Sequence, residues 1–189
     1  MAKARVGVLI SGRGSNMMAL AGGSRDPACP YEIALVASDK PDAPGLAWAR
    51  TEGLAVWSLS PKGIGKPAYE AALDDALNAA SVETIALAGY MRLLSDDFVE
   101  RWRGRIINIH PSLLPKYKGL DTHARAIEAG DLVAGCSVHI VTEELDGGEV
   151  LGQTKVAILP GDAPETLNAR VLAAEHLLYP ATLSDFVTR

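Results

Sequence analysis

Short apolar runs separated by helix-length segments dominate the chain from its start to Ile109, and this order constrains the fold more than any other feature. The runs fall at residues 5–10, 33–38, 55–59, 84–88 and 105–109, with helical patterns between them at 15–21, 45–52, 68–80 and 96–102. Several runs lack the polar alternation of a half-exposed strand, which marks strands buried on both faces. The pattern predicts an α/β architecture: a Rossmann-like, doubly wound, mostly parallel sheet with helices on both faces.

After Pro111 the pattern changes. A loop with two prolines leads to a short helix at 122–129, and strand-like runs follow at 137–142 and 150–157. Between those runs Leu145-Asp146-Gly147-Gly148 contains Asp-Gly and Gly-Gly steps, which predict a tight connection and hence an antiparallel edge hairpin. A terminal helix starts near Ala163-Pro164-Glu165, with proline in its first turn and Leu167, Val171, Ala174 and Leu178 along one face. The absence of an internal repeat, low-complexity tract or linker makes residues 1–189 one expected domain.

Composition narrows the class. With 48% hydrophobic and 22% charged residues the chain has the balance of a soluble globular protein, and no apolar stretch approaches the ~18 residues of a membrane span. A chain of this size buries about 70% of its extended surface on folding, enough for a core without staples. The net charge of −5 argues against a broad nucleic-acid surface, which needs a basic excess to displace phosphate counterions. An anionic ligand must therefore be held by local donors such as a helix N-terminus. Cys29 and Cys136 form no C-x-x-C pair and stand far apart, so neither a zinc site nor a disulfide framework is implied, and a reducing compartment fits. The apolar run at 6–10 is too short for a signal peptide's core; the expected location is cytoplasmic.

Three segments hold candidate chemistry. The first strand runs into Ser11-Gly12-Arg13-Gly14-Ser15-Asn16 and then a helix, a plausible phosphate cradle because glycines allow close approach and helix N-termini present unpaired N–H groups. The same residues also suit a plain strand-to-helix turn with Ser15 or Asn16 as N-cap. They form neither a P-loop nor a dinucleotide fingerprint, since Met17 replaces the third glycine, and this excludes the dinucleotide-dependent oxidoreductases. The second is Asn108-Ile109-His110-Pro111, where strand alternation projects Asn108 and His110 to one face at a carboxyl strand end, the place where open α/β sheets bind ligands. The third is Asp146, which either approaches a histidine and favours its protonated form or bonds its own backbone as a turn residue. Gly89-Tyr90-Met91-Arg92-Leu93-Leu94 walls either a flat heteroaromatic ligand or the core. His123 and His176 lie in predicted helices as surface or capping residues, and His139 shares its strand face with Ser137, a place from which it either stays structural or reaches the site.

Taken together, residues 11–16, 88–94, 108–117, Gly119-Leu120-Asp121-Thr122-His123 and Glu144-Leu145-Asp146-Gly147-Gly148 resemble the phosphoribosylglycinamide formyltransferases, in family order and over nearly the whole chain to Ala174-Glu175-His176. The resemblance implies transfer of a formyl group from 10-formyltetrahydrofolate to the amine of 5-phosphoribosylglycinamide in purine biosynthesis, with no metal and no covalent enzyme intermediate. It implies Asn108, His110 and Asp146 as the catalytic trio. Gly14, Ser15 and Asn16 match the family's substrate phosphate loop, with Arg13 as an added charge there, and Glu175 matches a ribose-binding carboxylate. Met91, Arg92, Leu93 and Leu94 match its folate cleft, with Asn108 and the backbone of Thr142, Glu143, Glu144, Leu145 and Asp146 beside it. Lys66 stands where many members have arginine near the folate carboxylates, keeping the charge but not the bidentate fork. Leu172 replaces a lysine of some members, and the chain ends soon after Phe186. Small-molecule substrates, no nucleic acid, no membrane, and a monomer or homodimer complete the expectation.

Two relatives and one inactive reading compete. A formyltetrahydrofolate hydrolase shares the Asn, His and Asp chemistry but usually adds an N-terminal regulatory domain. A methionyl-tRNA formyltransferase usually has Trp-Arg-Gly-Ala where this chain reads Tyr117-Lys118-Gly119-Leu120, and a basic C-terminal domain. A catalytically idle folate sensor would not need the intact trio.

Overall fold

In the computed structural model, which describes residues 2–189, the apolar runs become the centre of one seven-stranded sheet. Strands β1 (Ala4–Ile10), β2 (Tyr31–Ser38), β3 (Val56–Ser58), β4 (Thr84–Leu87) and β5 (Ile106–His110) are parallel to their neighbours, and β6 (Val133–Ile140) and β7 (Val150–Ala157) join antiparallel, in the order β3-β2-β1-β4-β5-β6-β7. Val6, Val8, Leu9 and Ile10 of β1 have no solvent exposure, as the unalternating sequence requires of a central strand covered twice.

Helices α1 (Ser15–Ser24), α2 (Pro44–Thr51) and α6 (Pro164–Val187) cover one face through Met17, Leu20, Leu46, Val171 and Leu183, packed on Val6, Val8, Val36 and Ile107. Helices α3 (Gly65–Ala79) and α4 (Asp96–Arg101) cover the other, with Leu73, Leu77 and Phe98 against Leu9, Ile85 and Ile106. The short α5 (Thr122–Glu128) packs on α6 and β6. The doubly wound, mostly parallel sheet with an antiparallel edge and a terminal helix is as expected. Among the described residues no helix is long and apolar enough to cross a membrane.

The edge differs in detail. β6 begins four residues before the expected run because Val133 pairs with Ala157 at the far end of β7. The connection is not tight: residues 141–149 form a loop between the strands, and Asp-Gly-Gly lies inside it rather than closing a two-residue turn. Tertiary bonds to that loop outweigh its local turn chemistry.

The sheet places its switch point between β1 and β4. β1 hands the chain to β2 on one side, while the return from β3 through α3 enters β4 on the other. The connections leaving the carboxyl ends of β1 and β4 diverge there and open a crevice. They remain joined at its base, where Ser11 N–H donates to Gly89 O at 3.1 Å.

Candidate active site

The crevice widens into a cavity of about 1060 Å³ along the carboxyl ends of β4 and β5. That volume lies at the upper end of the roughly 300–1,000 Å³ of small-molecule sites. Its walls come from the segment after β4, the end of β5, the loop into α5, the 141–149 loop and the first turns of α6. Exposed apolar side chains cluster here: Met91, Leu93, Leu120 and Leu145 all line the cavity and all lie half or more in solvent. Exposed apolar side chains gathered in one concave patch mark a surface that meets a ligand or a partner.

At the cavity's centre β5 and β6 run antiparallel, with Asn108 opposite His139 and His110 opposite Ser137. Opposed residues share a face, so this register brings together two side chains from β5 and one from β6. Asn108 Nδ2 lies 3.2 Å from His139 Nε2, and His139 Nδ1 lies 2.9 Å from Ile140 O. A carbonyl only accepts, so His139 Nδ1 carries a proton; Nε2 accepts from Asn108 when the ring is neutral and donates to the Asp146 carboxylate when the ring is charged. The second N–H of Asn108 then remains for a ligand.

Asp146, from the 141–149 loop, closes the group. Its Oδ2 is 3.4 Å from His110 Nδ1 and its Oδ1 is 3.4 Å from His139 Nε2. Gly119 N–H donates to Oδ2 at 2.9 Å. The carboxylate thus bonds across the cleft and not to its own backbone, which overturns the turn-residue alternative; its φ of 48° turns it inward. Burial pushes the Asp146 carboxyl up, but the His139 hydrogen bond, the Gly119 N–H and the charges of His110 and His139 together hold it below its ordinary value.

His110 Nε2 lies 2.9 Å from Tyr117 O, so this nitrogen donates. Both ring nitrogens therefore face acceptors, and an imidazolium satisfies both while a neutral ring satisfies one.

The other end of the cavity reaches α1. Gly14, with φ 72°, occupies the N-cap position expected of Ser15 or Asn16, because only a left-handed residue turns the chain tightly enough from β1 into the helix. No side chain caps α1 and no acidic residue sits in its first turn, so its leading N–H groups stay available to an anion. Asn16 Nδ2 donates to Glu175 Oε2 at 2.7 Å, while Asn16 Oδ1 is buried without a partner. Burial raises the Glu175 carboxyl, opposed by the Asn16 hydrogen bond.

The cavity gathers most of the residues expected from sequence. Asn108, His110, Asp146, Asn16, Glu175, Lys66, Met91, Arg92, Leu93, Leu94, Thr142, Glu143, Glu144 and Leu145 all line it. Arg13, Gly14 and Ser15 do not; they lie beside Asn16 at the head of α1, with Arg13 exposed. Lys66 is half-buried and meets no carboxylate at ion-pair distance among the described residues.

Two histidines depart from expectation. His123 lines the cavity, with Nε2 3.2 Å from Asn168 Oδ1 and a buried, unpartnered Nδ1. His176 buries an unpartnered Nε2, because α6 is packed on α1, α5, β6 and β7 and has little free surface. Neither is a plain surface or capping residue. His139 lies deeper in the site than its place beside Ser137 announced; strand alternation gave its face, but only the antiparallel register with β5 sets it against Asn108.

This fold and cleft define a Rossmann-like α/β protein with a switch-point site built from an amide, two imidazoles and a carboxylate. The family model described as formyl transferase matches residues 4–183. Phosphoribosylglycinamide formyltransferase of Escherichia coli is 44% identical over 180 residues, 95% of this chain and 85% of that protein. The trifunctional purine biosynthetic protein adenosine-3 of Gallus gallus is 45% identical over 182 residues, and the chain spans only 18% of its length. A crystal structure of phosphoribosylglycinamide formyltransferase from Brucella melitensis superposes with a TM-score of 0.94 at 51% identity, over 97% of this chain and 95% of that one. The chain belongs to the formyl transferase family.

Proposed function

We propose that the protein transfers the formyl group of 10-formyltetrahydrofolate to the amine of 5-phosphoribosylglycinamide, a step of purine biosynthesis. The observation that carries this reading is the Asp146 carboxylate held between His110 and His139, beside Asn108, in a cavity that also reaches the open N-terminus of α1. One end suits a phosphate and a ribose, through the α1 N–H groups, Asn16 Oδ1 and Glu175. The other suits a flat apolar ring system with an anionic tail, through Met91, Leu93, Leu94 and Lys66, which meets no carboxylate among the described residues. The names of the Escherichia coli and Brucella melitensis relatives support the choice of substrates.

Attack of an amine on a formamide carbon builds negative charge on the formyl oxygen and positive charge on the incoming nitrogen. In this reading Asn108 donates its remaining N–H to that oxygen. His110, protonated between Tyr117 O and Asp146, stabilises the same charge and delivers a proton to the departing folate nitrogen as the carbon–nitrogen bond to the folate breaks; the proton that the incoming nitrogen must lose returns to the imidazole, so the exchange is proton-neutral. Asp146 favours the charged ring directly, without an intervening water. An oxyanion donor of this kind contributes about 100- to 1,000-fold to turnover, and alignment of two bound substrates contributes roughly 7–11 kcal/mol more.

The test supplies 10-formyltetrahydrofolate with and without phosphoribosylglycinamide and follows release of tetrahydrofolate. Transfer predicts release only when the amine is present. Release without it assigns the site to hydrolysis, and no release in either case makes the protein a folate binder.

A further inference from the structure

The wall at residues 90–94 is held by side chains more than by its backbone: Tyr90 bonds Tyr69 through their hydroxyls, Leu94 packs on the core, and the Arg92 guanidinium lies over the Tyr69 ring. Among the described residues its backbone makes one hydrogen bond to the protein: Met91 N–H donates to Ser11 Oγ at 2.9 Å. The amides of Arg92, Leu93 and Leu94 have no protein acceptor, and Met91 and Leu93 are 66% and 68% exposed.

Ser11 belongs to the opposite half of the site. It directly precedes the Gly12–Asn16 turn into α1, and its own N–H donates to Gly89 O. Its hydroxyl donates to Asp39 Oδ1 at 2.6 Å. Ser11 and Asp39 are both buried, and Asp39 follows directly on the end of β2. A hydroxyl has one proton to give. With that proton held by a carboxylate in a charge-assisted bond, its lone pairs are fixed and one of them meets the Met91 N–H. One side chain thereby ties together the ends of β1, β2 and β4 at the switch point.

We infer that Ser11, oriented by Asp39, is a positioning residue that fixes the donor-side wall at 91–94 against the acceptor-side turn at 12–16. This rests on the reaction proposed above. Neither side chain lines the cavity, so their effect passes through the Met91 backbone. Lost anchorage falls on the donor, because the α1 N-terminus that faces the acceptor's anion does not depend on the hydroxyl.

The test measures KM for each substrate, binding of the non-reacting 5-formyltetrahydrofolate by calorimetry, and Tm. Ser11→Ala is expected to raise donor KM and weaken 5-formyltetrahydrofolate binding about tenfold, with acceptor KM changed less than about twofold. Asp39→Ala gives the same pattern, and Ser11→Ala/Asp39→Ala is no worse than either single change, since both remove one linkage. Asp39→Asn keeps a carbonyl acceptor for the hydroxyl and recovers most of the loss. The inference is overturned by unchanged donor binding in Ser11→Ala, by an effect confined to the acceptor, or by additive penalties. If Ser11→Ala does not fold, Asp39→Asn against Asp39→Ala decides: equal donor binding in the two rejects the inference. A wild-type protein without turnover rejects the proposed reaction, and the calorimetric comparison still judges the wall.

Discussion

Asn108 and His139 stand opposite each other on β5 and β6 with their side-chain nitrogens 3.2 Å apart, and the same His139 nitrogen lies 3.4 Å from Asp146. His139 therefore orients two members of the proposed catalytic trio without being one of them. The ring itself is anchored by Nδ1 on Ile140 O. This arrangement makes the trio a single hydrogen-bonded unit whose parts do not act independently.

His139→Ala frees the Asn108 amide to rotate and removes the hydrogen bond that most lowers the Asp146 carboxyl. Turnover is expected to fall about tenfold to a hundredfold with both KM values nearly constant. His139→Gln, which returns an acceptor for Asn108, recovers part of the loss. Steady-state kinetics on both variants checks this, and an unchanged kcat in His139→Ala removes the residue from the unit.

Asp146→Asn keeps the shape of the group and deletes its charge. Wild-type Asp146 is held below the ordinary carboxylate range and is ionised at neutral pH. Without that charge the imidazolium form of His110 loses its partner, so kcat drops about 100- to 10,000-fold, the range of a lost acid catalyst. A kcat within a few-fold of wild type shows that Asp146 only shapes the loop.

His176 offers a test of stability away from the cavity. Burial lowers its pKa from the usual 6.5, and its Nε2 has no partner to hold a proton. A group whose folded pKa is depressed stabilises the fold above the unfolded value and loses that contribution as pH falls from about 6.5 toward the folded one. His123, lowered by burial and opposed by its Asn168 hydrogen bond, acts in the same direction. Tm should decline between pH 7 and pH 5, and His176→Leu should make the decline shallower. An identical slope in wild type and variant shows that His176 does not contribute to it.

The central sheet was readable because burial on both faces leaves a mark: β1 from Val6 to Ile10 and β4 from Ile85 to Leu87 carry no charged or polar side chain, and each crosses the sheet between two helical layers. The same reasoning placed Asn108 and His110 side by side, since alternation is local. What lay beyond reach was long-range. Gly119 N–H and two histidines draw Asp146 out of an apparent tight turn, and those partners sit on segments whose distance from residue 146 no local pattern encodes. The contacts of His139 with Asn108 and Asp146 were hidden for the same reason, as was the burial of His176 in a helix whose sequence shows one apolar face but whose surroundings cover more than one.

Gly45 tests how α2 supports the turn into α1, the proposed phosphate site. Its N–H donates to Gly12 O at 3.1 Å, and a Cβ there would lie 2.6 Å from Ile10 Cδ1 and 3.0 Å from the carbonyl oxygens of Gly12 and Arg13. The two carbonyls belong to the backbone that leads into Gly14 and cannot move aside without reshaping the head of α1. Gly45→Ala is therefore expected to cost about 1–3 kcal/mol, the usual penalty of overpacking, and to raise KM for phosphoribosylglycinamide more than KM for the folate. Gly22→Ala is the control: nothing lies within 4 Å of its Cβ, and alanine in α1 should stabilise by about 0.5–1 kcal/mol. Thermal unfolding and the two KM values report the outcome. A Gly45→Ala protein as stable as wild type with unchanged acceptor KM shows that α2 can yield, and that the turn is held by β1 and α1 alone.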